Sequence, residues 1–311
     1  MVIGPSETDP QWPGIRGGAQ RYAARLPILR VHCPAPPDTT PAALLATVEQ
    51  ALELKPGVIC LCVDEPPRWQ PAVDRIARER VLIVTVGQEL NDPRVAAHVG
   101  TDLPAAAELL GDNLERIAAG RQSYLLVHAA GTGTLATRCY QRFMEKAHRQ
   151  FDMKLLAEGS AADAGGQGDR VLTDLLKRYP RVGLVITLDA NLWLRPPAGW
   201  EHDVREVSPD FRFATLSAVP VLWSRLGRPG GDGQAVALVG PLDGDIGYAA
   251  VEAATDALLR HGQGAPRIIP SELVTPATLA DFARRYSEAA SGLDVSAFLP
   301  RDPGAPGPTG G

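Results

Sequence analysis

The sequence predicts an α/β protein of two lobes, each a parallel sheet flanked by helices. Three observations predict it. Short apolar runs alternate with segments whose apolar residues recur at helical spacing, which is the rhythm of βα units with right-handed crossovers. That rhythm breaks near Asp102 and resumes near Tyr124, so the two halves share it. At 311 residues the chain is too long for one small core and suits two.

The first lobe starts with the apolar run Met1-Val2-Ile3. The stretch Thr8-Asp9-Pro10-Gln11-Trp12-Pro13-Gly14 follows as a loop, and a helix carrying Arg16, Gln20 and Arg21 comes next. In open α/β sheets that first loop lies outside the carboxyl ends of the strands, where ligands bind. Ile28 to Val31 is a predicted strand. Thr40-Pro41 is an N-cap with proline at the first helical position, followed by Leu44, Leu45, Val48 and Leu52 at helical spacing. Gly57 to Val63 is apolar at nearly every position, as a strand buried on both faces requires. Val73, Ile76 and Ala77 mark a helix, and Val81 to Val86 the next strand. His98 to Asp102 is a short run ending in a candidate cap. Pro104 opens a helix with Leu109, Leu110, Leu114 and Ile117.

The second lobe opens with the strand Tyr124 to His128, the turn Ala129 to Thr134 and a helix carrying Tyr140, Phe143, Met144 and Ala147. Met153 to Glu158 is a strand. A helix lined by Val171, Leu172, Leu175 and Leu176 ends at Tyr179-Pro180, and Val182 to Leu188 is the next strand, with Asp189 at its end. Arg195-Pro196-Pro197 stops the following helix. The stretch to Asp210, with Trp193 and Trp200, reads as an irregular insertion. Phe211 to Ser217 is a strand, Gly230 to Gly233 a turn and Ala235 to Val239 a strand. Pro241 to Tyr248 leads into a helix with Ala250, Val251, Ala254 and Leu258. Ile268 to Val274 is the last strand, crossing back, and the Pro/Gly-rich end beyond Leu299 is expected to be disordered.

Composition narrows the function classes. The residues are 45% hydrophobic and 22% charged, the net charge is -5 and the pI about 5.7. No long basic run is present, which argues against nucleic acid as a direct partner. No apolar run approaches the roughly 20 residues of a membrane span. The start carries no signal peptide. The expectation is therefore either a cytoplasmic protein or one whose leader has been removed, and a strand at the first residue suggests missing upstream sequence. Cys60 and Cys62 point to one face of a strand and read as small buried hydrophobes. A zinc site would want a wider spacing and a second ligand pair.

Several phrases, in order, resemble the type I periplasmic sugar-binding proteins, the ribose- and galactose-binding kind. Asp9-Pro10-Gln11-Trp12 with Gly18-Ala19-Gln20 resembles their first loop. Val99-Gly100-Thr101-Asp102 before a helix resembles their first crossing. Leu175-Leu176-Lys177-Arg178-Tyr179-Pro180 before a strand resembles a recurrent phrase of theirs. The resemblance spans about residues 2 to 290 and is weak from 194 to 235. It implies a two-lobed fold with a hinge of three crossings, near Asp102, Val239 and Ala265. Residues 1–102 with 241–264 would form the first lobe, residues 103–240 with 265–290 the second, and 291–311 a tail.

The implied function is capture of a small, carbohydrate-like solute between the lobes without chemistry, for ABC-type import or for sensing. An ABC permease or a membrane sensor would be the partner and the periplasm the location. No cofactor and no metal is expected. Trp12 would stack on the ligand; Asp9, Gln11, Gln88, Asp102, Arg138, Asp189 and Ser217 would bind it around one cleft. The chain departs from the family pattern where Gly87-Gln88 stands for Asp-Arg, Ser217 for Asp, Pro241 and Leu242 for Gln, and Ser160 to Gly165 for an aromatic. The scaffold is therefore better supported than a simple-sugar site.

Two alternatives remain open at this level. The same fold serves as the effector domain of lactose-repressor-like regulators, although no helix-turn-helix precedes the first strand here. Gly131-Thr132-Gly133-Thr134-Leu135-Ala136 fits a dinucleotide fingerprint, with Glu158 where an acidic ribose ligand would sit, which would make an α/β enzyme. No nucleophile elbow, zinc-protease motif or P-loop is present. Of six histidines, His128 at a strand end is the one placed to face a ligand.

Overall fold

The computed structural model describes residues 1–129, 134–150, 152–164, 166–189, 191–194, 196–227, 234–260, 262 and 264–300. The chain divides into two compact units. The first comprises Met1–Asp102, Pro241–Pro270 and Ala283–Asp294; the second comprises Leu103–Gly240, Ser271–Phe282 and the residues from Val295.

The first unit holds five strands in the order Val2–Ile3, Val58–Val63, Leu82–Gly87, Val95–Thr101 and Arg267–Ile269. Every pairing is parallel. The apolar run at 58–63 alternates between two cores because side chains on a strand alternate faces. Cys60 and Cys62 join Val84, Val86 and Val99 in one core, with helices Trp12–Ala23 and Asp243–Leu259. Ile59, Leu61 and Val63 join the other, with helices Pro41–Glu53 and Pro66–Arg78. Thr40 caps the first of this second pair as its sequence foretells, its hydroxyl accepting from the Ala43 N–H at 3.3 Å.

Helices Trp12–Ala23 and Asp243–Leu259 cross with their backbones in contact. A Cβ at Gly18 would lie 1.7 Å from the Gly244 carbonyl oxygen, and one at Gly247 1.8 Å from that of Ile15. Gly18 and Gly247 permit this approach, while the adjacent Gly17 admits the backbone at Ala290, 2.3 Å from where its Cβ would lie.

The segment Ile28 to Val31 is not a strand, and Ile28 is 97% exposed. The chain lies along the first strand further on, where the N–H groups of Val2, Gly4 and Glu7 donate to the carbonyls of His32, Pro34 and Pro36. Prolines at 34 and 36 have no N–H to return, so a ladder cannot close.

The second unit holds six strands in the order Glu272–Val274, Ala235–Gly240, Arg212–Thr215, Leu184–Thr187, Ser123–His128 and Lys154–Ser160. Only the first pair is antiparallel. Tyr124, Leu126, Leu184 and Ile186 pack on helices Leu103–Asp112, Leu114–Ala118 and Thr134–Ala147. Helix Gly168–Arg178 lies on the opposite face of strands 123–128 and 154–160.

Three expectations are corrected here. The single last strand is two, Arg267–Ile269 in the first sheet and Glu272–Val274 in the second, because Pro270 interrupts the pairing. Residues 265–270 and 283–294 therefore belong to the first unit. The stretch from Trp193 to Asp210 is not irregular, since it contains helix Trp200–Val207. Its two tryptophans are core residues: Trp193 stacks on Phe213 with ring centroids 3.7 Å apart and donates to the Thr187 hydroxyl at 2.8 Å. Trp200 donates to the Thr173 hydroxyl at 2.9 Å. Of the expected tail, 291–300 is described and carries a short 3-10 turn at Ser296–Phe298; 301–311, like Gly230 to Gly233 and Arg195, lies outside the described residues.

All four cysteines are free thiols. Burial pushes Cys33 and Cys60 up to about 11 and Cys62 well above the usual thiol value. Thiol titration without reductant is expected to find four reactive groups in denatured protein and almost none reacting quickly in native protein. Fewer than four after denaturation would contradict this packing.

Candidate functional site

Parallel strands end on one edge of a sheet, and the chain turns there toward each following helix. In the first unit, four consecutive strand ends carry polar side chains. Asp9 and Gln11 follow Val2–Ile3, Asp64 follows Val58–Val63, Gln88 follows Leu82–Gly87, and Asp102 follows Val95–Thr101. Gln11, Gln88 and Asp102 are exposed.

The loop after the first strand is an Asx turn. The Asp9 carboxylate accepts from the Gln11 N–H at 2.9 Å, and the Asp9 carbonyl from the Trp12 N–H at 3.1 Å. Helix Trp12–Ala23 begins at the indole-bearing residue itself, which turns that side chain inward. Trp12 is 1% exposed and shares a core with Val2, Ile15 and Cys60. Its ring lies on the backbone of Gly4, where a Cβ would come within 2.7 Å of three ring carbons. The expectation that Trp12 stacks on a ligand is therefore corrected: its faces are already covered.

Gln88 sits beyond Gly87, whose φ of +90° and close approach to the Val63 carbonyl exclude a side chain. The Gln88 N–H donates to that carbonyl at 2.9 Å, which fixes the backbone and leaves the amide side chain at the surface. Asp64 accepts from Arg68 at 2.7 and 2.8 Å and from the Trp69 indole at 2.8 Å.

Sequence reasoning missed Asp64, although its place right after an apolar run is the signal that marked Asp102 and Asp189. It also missed Asp243, the first residue of helix Asp243–Leu259. Asp243 is 1% exposed, accepts from the Tyr286 hydroxyl at 2.6 Å and receives the Gln11 side-chain amide at 3.4 Å. Burial pushes its carboxyl up to about 7, against the Tyr286 hydrogen bond and with the charge of Asp9.

In the second unit, Asp189 follows Leu184–Thr187 and Ser217 follows Arg212–Thr215, while Arg138 stands exposed on helix Thr134–Ala147. Asp189 is half-buried and accepts from the Asn191 N–H at 2.9 Å, opening the short helix Asn191–Leu194. Ser217 is buried. His128 ends its strand 8% exposed, its ring 4.6 Å from that of Tyr140. The Tyr140 hydroxyl donates to both Glu158 oxygens, at 3.0 and 3.2 Å. Burial lowers the His128 value more than Glu158 and Asp163 raise it, so the imidazole is neutral at pH 7.

Tyr140 thus already engages the Glu158 carboxylate that a ribose-binding role would need. Gly131 to Gly133 of the fingerprint lie outside the described residues. Among the described residues no group of three or more His, Cys, Asp or Glu side chains could hold a metal ion. No helix among them is long and apolar enough to cross a membrane.

A sequence model for a family described as periplasmic binding protein domain matches residues 1–263. No curated protein matches the sequence. Several solved structures share the fold. An ABC transporter solute-binding protein from Agrobacterium vitis, bound with alpha-D-tagatopyranose, is 15% identical, with a TM-score of 0.69 over 97% of this chain and 98% of that one. An arabinose-binding protein from Geobacillus stearothermophilus is 14% identical, with a TM-score of 0.75 over 91% and 97%. An ABC transporter solute-binding protein from Bacillus halodurans, with bound myo-inositol, is 14% identical, with a TM-score of 0.66 over 92% and 97%. At such identities these likenesses establish the fold.

Proposed function

The chain belongs to the periplasmic binding protein family, and on that premise we propose that it captures a small carbohydrate-like solute and releases it unchanged. The observation that carries this reading is the row of polar side chains at successive strand ends of the first unit. Sugar hydroxyls both donate and accept, and carboxylates, amides and guanidinium groups meet them in planar, often bidentate geometry. Asp9, Gln11, Gln88 and Asp102 supply such groups from the first unit and Arg138 and Asp189 from the second, where Ser217 adds a hydroxyl. The solved structures of this fold include solute-binding proteins of ABC transporters. This supports a periplasmic place for the chain and an ABC permease or a membrane sensor as its partner. It also supports a role without catalysis.

Gln88→Ala offers the cleanest test of the site. The side chain is exposed, and its backbone N–H keeps the bond to Val63. Affinity for a bound sugar is expected to fall roughly tenfold, since an unpaired ligand hydroxyl costs about 1–3 kcal/mol, with the unfolding temperature unchanged. Unchanged affinity would remove Gln88 from the site. Because Gln88 and Ser217 stand where simple-sugar binders carry charges, ribose and galactose are expected to bind weakly or not at all. Calorimetry giving micromolar affinity for either would contradict that.

A further inference from the structure

We infer that Asp243 is a proton-operated clasp on the first loop: neutral, it ties Gln11 and Tyr286 to the start of helix Asp243–Leu259, and ionised, it lets the loop go. The inference rests on the reading of Asp9 and Gln11 as ligand-binding residues, because their loop is what the clasp holds.

Three segments far apart in sequence meet at this carboxyl group, all within the first unit. The loop supplies Gln11, the helix supplies Asp243, and helix Leu279–Ala289 supplies Tyr286. Gly14 seals the remaining side, where a Cβ would fall 2.5 Å from the Tyr286 hydroxyl and 2.7 Å from the Asp243 Cβ.

The groups facing Asp243 leave its negative charge poorly met. From the loop comes Asp9, a like charge. From helix Leu279–Ala289 comes the Tyr286 phenol, which burial and Asp243 push well above the usual tyrosine value and which therefore stays protonated. Helix Trp12–Ala23 meets Asp243 at Gly14, which carries no charge, and its Arg21 is engaged with Asp245 at 2.8 Å. Among the described residues no cationic side chain bonds Asp243. A buried carboxylate with two neutral donors gains by admitting water. Burial accordingly pushes its carboxyl up to about 7, so the group changes charge near neutrality. Of the two donors, Tyr286 at 2.6 Å is the tighter, and its helix is locked further along, where Gly17 and Gly244 abut the backbone at Ala289 and Ala290. Gln11 at 3.4 Å is exposed and on a loop, so it is the element that yields.

Hydrogen exchange tests this without any ligand. Rates divided by the intrinsic rate are compared at pH 5.5 and 8.5 for residues 9–15 and 284–290. Wild type is expected to lose roughly tenfold of its protection at 9–15 between the two pH values, with a smaller loss at 284–290. Asp243→Asn, neutral at both, is expected to lose none. Tyr286→Phe removes a donor to the ionised form and is expected to move the midpoint of the fall to higher pH. No fall in wild type, or an equal fall in Asp243→Asn, overturns the clasp.

A second arm uses calorimetry with arabinose, tagatose and myo-inositol at the same two pH values. A probe that binds is expected to bind several-fold more weakly at pH 8.5 in wild type and equally in Asp243→Asn. Equal affinity in wild type overturns the coupling to ligand. If protection falls as stated yet none of the three binds, the clasp stands and the carbohydrate reading is what fails.

Discussion

Gly18→Ala is expected to prevent the first unit from folding. Alanine favours a helix by about 1 kcal/mol over glycine, so local propensity argues the other way. The new Cβ, however, would lie 1.7 Å from the Gly244 carbonyl oxygen, inside any van der Waals contact. The obstacle is backbone, which no rotamer change relieves. Helices Trp12–Ala23 and Asp243–Leu259 would have to part, opening the contact of Gly247 with Ile15 as well. Overpacking of a flexible core costs about 1–3 kcal/mol; a rigid backbone clash along a whole helix pair exceeds that range. Gly168→Ala is the control, since its Cβ meets only the Ala161 methyl at 3.5 Å. Thermal unfolding is expected to show Gly168→Ala close to wild type and Gly18→Ala insoluble or lower by more than about 10 °C. A Gly18→Ala protein of normal stability would contradict the helix crossing.

Asp243→Asn is expected to stabilise the protein at pH 8 and to leave it unchanged near pH 4. The sign follows from the direction of the shift. The folded carboxyl titrates at about 7 against an ordinary value of 3.8, so the folded state holds a proton that the unfolded chain has released. Its contribution to stability is complete below about pH 4 and is lost as pH rises through about 7. Three pKa steps at about 1.4 kcal/mol each set the loss at up to about 4 kcal/mol. Asparagine keeps the shape and an acceptor for Tyr286 but never ionises. The gap between the two unfolding temperatures is expected to open from near zero to roughly 10 °C across this window. Other carboxylates shift the opposite way: Asp92, held down chiefly by Arg94, loses its contribution as pH falls, so only the difference between the two proteins isolates Asp243. A constant gap across the window would contradict the assignment.

Much of the architecture was legible in the sequence because it rests on periodicity. The run at 58–63 could only be a strand buried on both faces, and the Thr40-Pro41 pair could only open a helix. Legibility failed where a single proline decided the outcome. Pro34 and Pro36 withhold the N–H groups that would have made an edge strand, and Pro270 cuts one expected strand into two that serve different sheets. The stretch from Trp193 to Asp210 looked irregular because its largest apolar side chains are two tryptophans rather than a periodic row of leucines.

The site was less legible. The strand-end rule put Asp9, Gln88, Asp102 and Asp189 beyond their strands, where they lie, since it depends only on where an apolar run stops. It also admitted Trp12, which is the first residue of its helix and packs into the core. One position on a helix start reverses a side chain from solvent to sheet, and sequence resolves such boundaries poorly. Asp243 and Tyr286 were invisible for a different reason: they stand 43 residues apart, and only the folded first unit brings them together.

The central claim is capture of a carbohydrate-like solute without conversion. Titration calorimetry with a panel of pentoses, ketohexoses and cyclitols, followed by recovery and chemical identification of the ligand, tests it most directly. Saturable binding of at least one member at one site per chain, with the ligand recovered intact, is the expected result. Absence of binding across the panel, or recovery of a chemically altered sugar, would contradict it.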